Sequence, residues 1–328
     1  MNIRLILKYT IVTILLIIFA IGSLSIGSVF IHPAEVVKSL LSQDNFILNE
    51  YRVPRMCLAL IVGSSLAISG ALIQGVVRNS LASPDVIGIT KGASLSAVTV
   101  IMLFPTAPLY ILPFSSFFGA FCISLILTLL ISKFNMKGSK IALIGLAIGA
   151  ICTAIVQYML IRNPLDANTA LVWLTGSLYG HNMSNITVIL PWFIITLPLI
   201  FYYCHQLDIL ILGDDVALGL GTKIKKIKMI LLFLAVALAG ASISLVGGLS
   251  FLGLIAPHIA RRIVGHKHIH IIIMSGLIGA LILSISDGLA RGIHPPIDIP
   301  VGVIVAIVGV PYFLFLIRKI EFKNKLQK

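Results

Sequence analysis

Arg52 and Arg55 lie three residues apart on either side of Pro54, at the entry to a long apolar run in EYRVPRMCL at 50–58. Arg291 closes another such run, in DGLARGIHPP at 287–296. A guanidinium offers a planar fork of donors that matches a carboxylate, so an exposed, preorganised arginine cluster suits acids on a docking protein or an anionic substrate. Pro54 stiffens the backbone between the first two. The plainer alternative is snorkelling, with the stem on apolar surface and the head among lipid headgroups. That account serves one arginine better than a pair straddling a proline. Asp287 stands four residues before Arg291, a helical spacing at which the two would pair.

Other chemistry-bearing residues are sparse. His266, His268 and His270 alternate in HKHIH, cannot share one helix face and have no carboxylates beside them, so metal binding is not expected. His258, after Pro257, is expected to be a structural hydrogen-bonder. Cys57, Cys122, Cys152 and Cys204 occur singly, which suits packing better than redox or metal chemistry. No paired acids, metal triad or nucleophile–base set falls inside an apolar run, so neither an intramembrane enzyme nor a cofactor is expected. No GxxxxGK[ST] loop is present, and any ATP hydrolysis must come from another chain. An ion-driven secondary transporter would need ionisable residues near the membrane midplane, whereas Asp85, Asp208 and Asp298 all fall in predicted loops.

The elements that must position these residues are membrane spans. The 328 residues are 59% hydrophobic and 11% charged, with a mean hydropathy of +1.10, too little charge for a water-soluble surface. The pattern predicts an all-α polytopic membrane protein of about ten spans, near 6–30, 56–77, 86–104, 112–132, 141–161, 186–204, 227–245, 248–264, 271–290 and 300–318. The leading run is too long for a signal peptide and is predicted to be a retained span. Placing both termini inside puts eighteen of the 24 basic residues on the cytoplasmic side. Five lie outside, namely Lys38, Arg52, Arg55, Arg162 and Arg291, with Lys91 near the inner end of the third span. The net charge of +13 is therefore a sign of topology and does not point to nucleic acid.

Between the sixth and seventh spans runs QLDILILGDDVALGLGTKIKK. Leu207 to Leu212 is predicted to form a short helix ended by Gly213 in the left-handed conformation, and Asp214 to cap a second, Val216 to Leu220, closed by Gly221. Two stubby apolar helices could plug another protein's groove. They could equally lie flat as an interfacial hairpin. Small residues from Gly63 to Ala71 and from Gly145 to Ala150 predict close helix packing.

Six stretches together carry a family resemblance: RVPR at 52–55, SGALIQGVVRNSLASPDVIGITKGASL at 69–95, ALVWLTGSL at 170–178, LGDDVALGLGT at 212–222, GGLSFLGLIAPHIARRIVG at 247–265 and SDGLARGIHPPIDIPVGVIVAIVGVPYFLFLI at 286–317. Over essentially the whole chain the sequence resembles the permeases of iron–siderophore, haem and vitamin B12 ABC importers. The resemblance implies one transmembrane domain over 1–328. It also implies a second permease, the same or related, two cytoplasmic ABC ATPase subunits and an extracytoplasmic, lipid-anchored binding protein. Cargo would be a ferric siderophore, with haem or cobalamin as the alternatives.

By the same match Arg52, Arg55 and Arg291 would pair with acids of the binding protein. Segment 206–222 would be the coupling helices, with Leu210, Leu212, Gly213, Asp214, Asp215, Leu218 and Gly219 meeting the ATPase. Asn79 and Leu81, and Gly138 and Ser139, would form turns constricting the path on the cytoplasmic side, although these residues also suit ordinary tight turns. The chain departs from the family in four places. Ser80 replaces the usual proline, Asp298 the usual glutamate, Lys267-His268-Ile269 the usual Asp-His-Arg, and Lys91 a small or polar residue.

Overall fold

The computed structural model describes residues 3–42, 44–108, 110–134 and 139–325. They fold as helices joined by turns, with no strand among the described residues. In chain order the helices are α1 (Ile3–Ser25), α2 (Pro33–Ser42), α3 (Val53–Val77), α4 (Ile89–Leu103), α5 (Ile111–Phe134), α6 (Ser139–Arg162), α7 (Ala167–Thr175), α8 (Met183–Ile211), α9 (Asp214–Gly219), α10 (Ile224–Val246), α11 (Leu252–Val264), α12 (His268–Gly292) and α13 (Val301–Lys325). A π-helical turn at Leu48–Arg52 leads directly into α3.

Among the described residues each of the ten expected stretches overlaps a helix, α2, α7 and α9 being additional, with some limits moved. Seven are long and apolar enough to cross a membrane by length and composition. α4 and α11 are shorter than expected, starting at Ile89 and Leu252. Gly88, with φ +83°, ends the turn before α4, and before α11 the backbone is irregular from Gly247 to Phe251. That irregular stretch is covered by protein. α7 and the residues after it lie against it: the Ser177 N–H donates to the carbonyl of Val246, just before the stretch, at 2.8 Å, and a Cβ on Gly247 would stand 2.1 Å from the Trp173 carbonyl oxygen. Non-helical backbone at membrane depth is tolerated only with such internal partners. The expected first span also stops early, at Ser25, and Arg52 takes up the carbonyls at that helix end.

α3, α10 and α12 form the buried middle, with α3 and α12 packed antiparallel. The small residues of the sequence do what their spacing predicts. A Cβ placed on Gly63 would sit 2.5 Å from the Gly279 carbonyl oxygen of α12, and one on Gly70 only 1.7 Å from that of Gly253 in α11. Backbones can approach this closely only where no side chain intervenes, and packing is what holds helices together in lipid. α3 has 25 residues and spans about 37 Å at 1.5 Å per residue. Arg55 and Arg78 therefore mark opposite ends of the bundle.

Candidate functional site

At one end of the bundle the three arginines converge, but as buried groups. Arg52, Arg55 and Arg291 are 5%, 7% and 6% exposed. The exposed cluster expected from sequence is not what the fold makes, because each guanidinium is taken up inside the chain. Arg52 donates to the carbonyls of Leu24 (2.7 Å), Ser25 (3.2 Å) and Val29. A helix leaves its last carbonyls without partners, and Arg52 satisfies those at the end of α1 from the π-helical turn that carries it. Gly27 lies against this guanidinium, where a Cβ would stand 2.8 Å from Nη2.

Arg55 and Arg291 share Asp287. Arg55 Nε lies 2.6 Å from Asp287 Oδ1, and Arg291 Nη2 lies 2.9 Å from Oδ2, the i, i+4 pair that the spacing predicts. Arg291 also donates to the Ser23 hydroxyl and carbonyl (both 2.8 Å) and to the Ile26 carbonyl (3.0 Å). A second acid completes the group, with Arg55 Nη1 2.7 Å from Asp298 Oδ2. Sequence showed Asp298 only as a loop acid and a family departure. The signal for its role was scarcity, since in a chain with 11 acids one beside an apolar run needs a cation.

These groups open onto a cavity of about 720 Å³ whose lining includes Arg52, Arg55, Arg291, Asp298, Glu50 and His181. Burial pushes the His181 imidazole below its ordinary range, and a hydrogen bond with Asn185 opposes that while the Arg55 guanidinium adds to it. His181 is thus a neutral lining group at neutral pH, and nothing in the sequence had singled it out.

The opposite end has a different character. The expected pair of stubby helices is one, because the stretch from Leu207 continues α8 to Ile211 and Leu210 is fully buried in the core. Asp208 accordingly lies in the last helical turn and not in a loop. Gly213 (φ +114°, ψ 155°) is the N-cap of α9, and Asp214 is its first residue. Only glycine takes up that backbone angle without strain. Around this short helix Ile211, Leu212, Val216, Leu218 and Leu220 are all about half exposed or more, and Asp215 is exposed. Ala217 faces inward.

Asp214 ties α9 to the bundle through Arg78 at the end of α3 and Lys228 of α10, the latter at 3.2 Å. Burial would raise its carboxyl; Lys228 and Arg78 outweigh that and hold it below the usual carboxylate range. Nearby, His268 donates its backbone N–H to Asp208 Oδ1 at 3.0 Å, and its ring Nδ1 lies 2.7 Å from the same oxygen. His270 Nδ1 meets the Tyr9 hydroxyl at 3.1 Å. Two of the three alternating histidines thus have separate partners, and no group able to hold a metal occurs among the described residues. A second cavity, of about 440 Å³, lies between Asp208, Arg261, His266 and Lys267. Lys91 Nζ is 3.7 Å from Asp85 at a half-exposed position.

Of the proposed gate residues, Asn79 accepts the Leu81 N–H on its side-chain oxygen at 2.9 Å, an Asx turn. Ser139 opens α6, and Gly138 lies outside the described residues. His258 Nε2 has no partner among the described residues, and its ring meets Tyr312 edge-on, centroids 6.1 Å apart.

Known proteins align with nearly all of this arrangement. Residues 14–319 match the FecCD transport family. The Fe(3+)-citrate import system permease YfmE of Bacillus subtilis is 46% identical over 318 residues, covering 96% of each chain. The Fe(3+) dicitrate transport system permease FecD of Escherichia coli is 42% identical over 276 residues, 84% of this chain and 86% of that one. A solved metal-chelate type ABC transporter in an inward-facing conformation superposes with a TM-score of 0.84 at 27% identity, covering 95% of this chain and 99% of the other.

Proposed function

The chain belongs to the FecCD transport family, and from that premise we propose that it is the membrane-spanning permease of an ATP-driven importer carrying an iron(III) chelate. The observation that carries the cargo class is the 46% identity, end to end, with a permease named for ferric citrate import. The bundle itself is a multi-pass membrane protein with two unlike ends, as an importer needs to meet a delivery protein on one side and a motor on the other.

The end bearing Arg52, Arg55 and Arg291 is read as extracytoplasmic and as the docking face for a substrate-binding protein. The surplus of lysine and arginine at the other end supports that orientation. α9 is read as the coupling element, its exposed Val216 and Leu218 entering a groove on an ABC ATPase. Two ATPases and a second permease would complete the assembly. Asn79 and Leu81, together with Gly138 and Ser139, would narrow the path at the motor end.

Sidedness tests the scheme. In a chain whose four native cysteines are replaced, Tyr51→Cys should react with an impermeant maleimide on intact cells and Leu218→Cys should not, both positions being exposed. The reverse pattern would overturn the proposal. Cargo is tested by radio-iron uptake in a deletion strain given single chelates. Loss of uptake from one ferric chelate is expected, and unimpaired uptake from all of them would count against iron transport.

A further inference from the structure

The burial of the arginines raises a difficulty for docking, because the Nε and Nη1 donors of Arg55 are already held by acids of the chain itself. Arg55 is held by two carboxylates of unequal kind. Asp287 has 0% of its side chain exposed and serves Arg291 as well. Removing it would strand two buried cations, which costs several kcal/mol. Asp298 is 24% exposed, contacts Arg55 through Oδ2 alone, and lies on the cavity wall in the segment between α12 and α13.

We propose that Asp298 is a displaceable stand-in for the docking protein's carboxylate: it occupies Arg55 Nη1 in the free permease and is exchanged for an acidic side chain of the partner on docking. This rests on the docking role proposed above for the arginine face. Asp287 keeps its grip on Nε throughout, so Arg55 stays aimed at the cavity while Nη1 changes partner. One charged hydrogen bond is lost and one gained, so the fold never holds an unpaired guanidinium and the exchange carries little net cost. The displaced group need not drag α13 with it. The Ile299 N–H is fixed to the Ala290 carbonyl at 3.2 Å, so release is a rotation of the Asp298 side chain into the cavity. Until it is satisfied, the same residue, together with Glu50, repels any acid that cannot complete the exchange, and that makes Asp298 a determinant of partner specificity.

The sign of one substitution tests this. Affinity is measured between the assembled permease–ATPase complex in nanodiscs and the purified substrate-binding protein that restores iron uptake with it. Asp298→Asn retains an oxygen to accept from Arg55 but removes the competing charge. Binding is expected to tighten about 3- to 10-fold at low salt, with the gain shrinking as salt screens it. Asp298→Glu keeps the charge and should give no gain. Unchanged or weaker binding in Asp298→Asn, or failure of that variant to fold, would overturn the exchange. Arg55→Lys separates the two ideas. If it weakens binding while Asp298→Asn gives no gain, the exchange alone fails. If neither variant alters affinity, the docking role of this face fails with it.

Discussion

The two ends of the bundle handle exposure in opposite ways. At the arginine end the charges are buried, paired within the chain and set behind a cavity, while at the α9 end apolar side chains stand in the open and the charges beneath them are partly wet. A buried ion pair has high desolvation cost and strict geometry, so on the proposed exchange any contact there would be selective. An exposed apolar knob needs only a groove of the right shape, and its burial is favourable wherever it finds one. On the roles proposed above, the first end would discriminate among partners and the second would hold a constant one.

The comparison breaks most visibly at Asp287. Asp287→Asn leaves Arg55 and Arg291 buried with a weakened common partner, and a loss of about 3–5 kcal/mol is expected, the usual cost of removing one member of a buried pair. In detergent this should appear as a large fall in melting temperature or as no folded peak in size exclusion. A variant as stable as the parent would mean the arginine end is not organised around that acid.

How much of this could be read in advance differs between the ends for the same physical reason. The spans and the Asp287–Arg291 pair follow from hydropathy and helical spacing, which are local properties. The small residues at 63–71 announced close packing because a missing side chain acts at short range wherever the neighbour comes from. What could not be read were partners distant in sequence: Arg52 for the end of α1, Asp298 for Arg55, and Arg78 and Lys228 for Asp214. The expectation of a free arginine cluster failed because a lone charge at a membrane edge draws in whatever polar group the fold brings near. Leu210 was misplaced because α8 runs unbroken to Ile211, where the sequence suggested a span ending near 204 and a separate short helix from Leu207.

At the other end the expected effect is on assembly, with the fold left intact. Val216→Asp with Leu218→Asp places charge on the exposed face of α9 without touching the buried Ala217. Association with the ATPase should fall by about 2 kcal/mol or more, the scale of a central apolar anchor, read as lost co-purification at an unchanged melting temperature. Full co-purification would remove the coupling role from α9 and with it the contrast between the ends.

The smallest effect concerns how α9 is fastened. Asp214 has a carboxyl held below the usual range by Lys228 and Arg78, against the opposing effect of burial. Its folded value thus lies under its unfolded one, so the tether contributes fully above the ordinary carboxylate range and is lost as pH falls through the folded value. Arg78→Gln removes one of the two cations. At neutral pH it should cost about 1 kcal/mol or less, as befits a partly exposed pair, and its melting temperature should converge with that of the parent as acid protonates Asp214 in both. A gap that widened on acidification would show that the carboxyl is not stabilised as an anion. The charges beneath α9 would then be incidental, and only the apolar knob would distinguish that end.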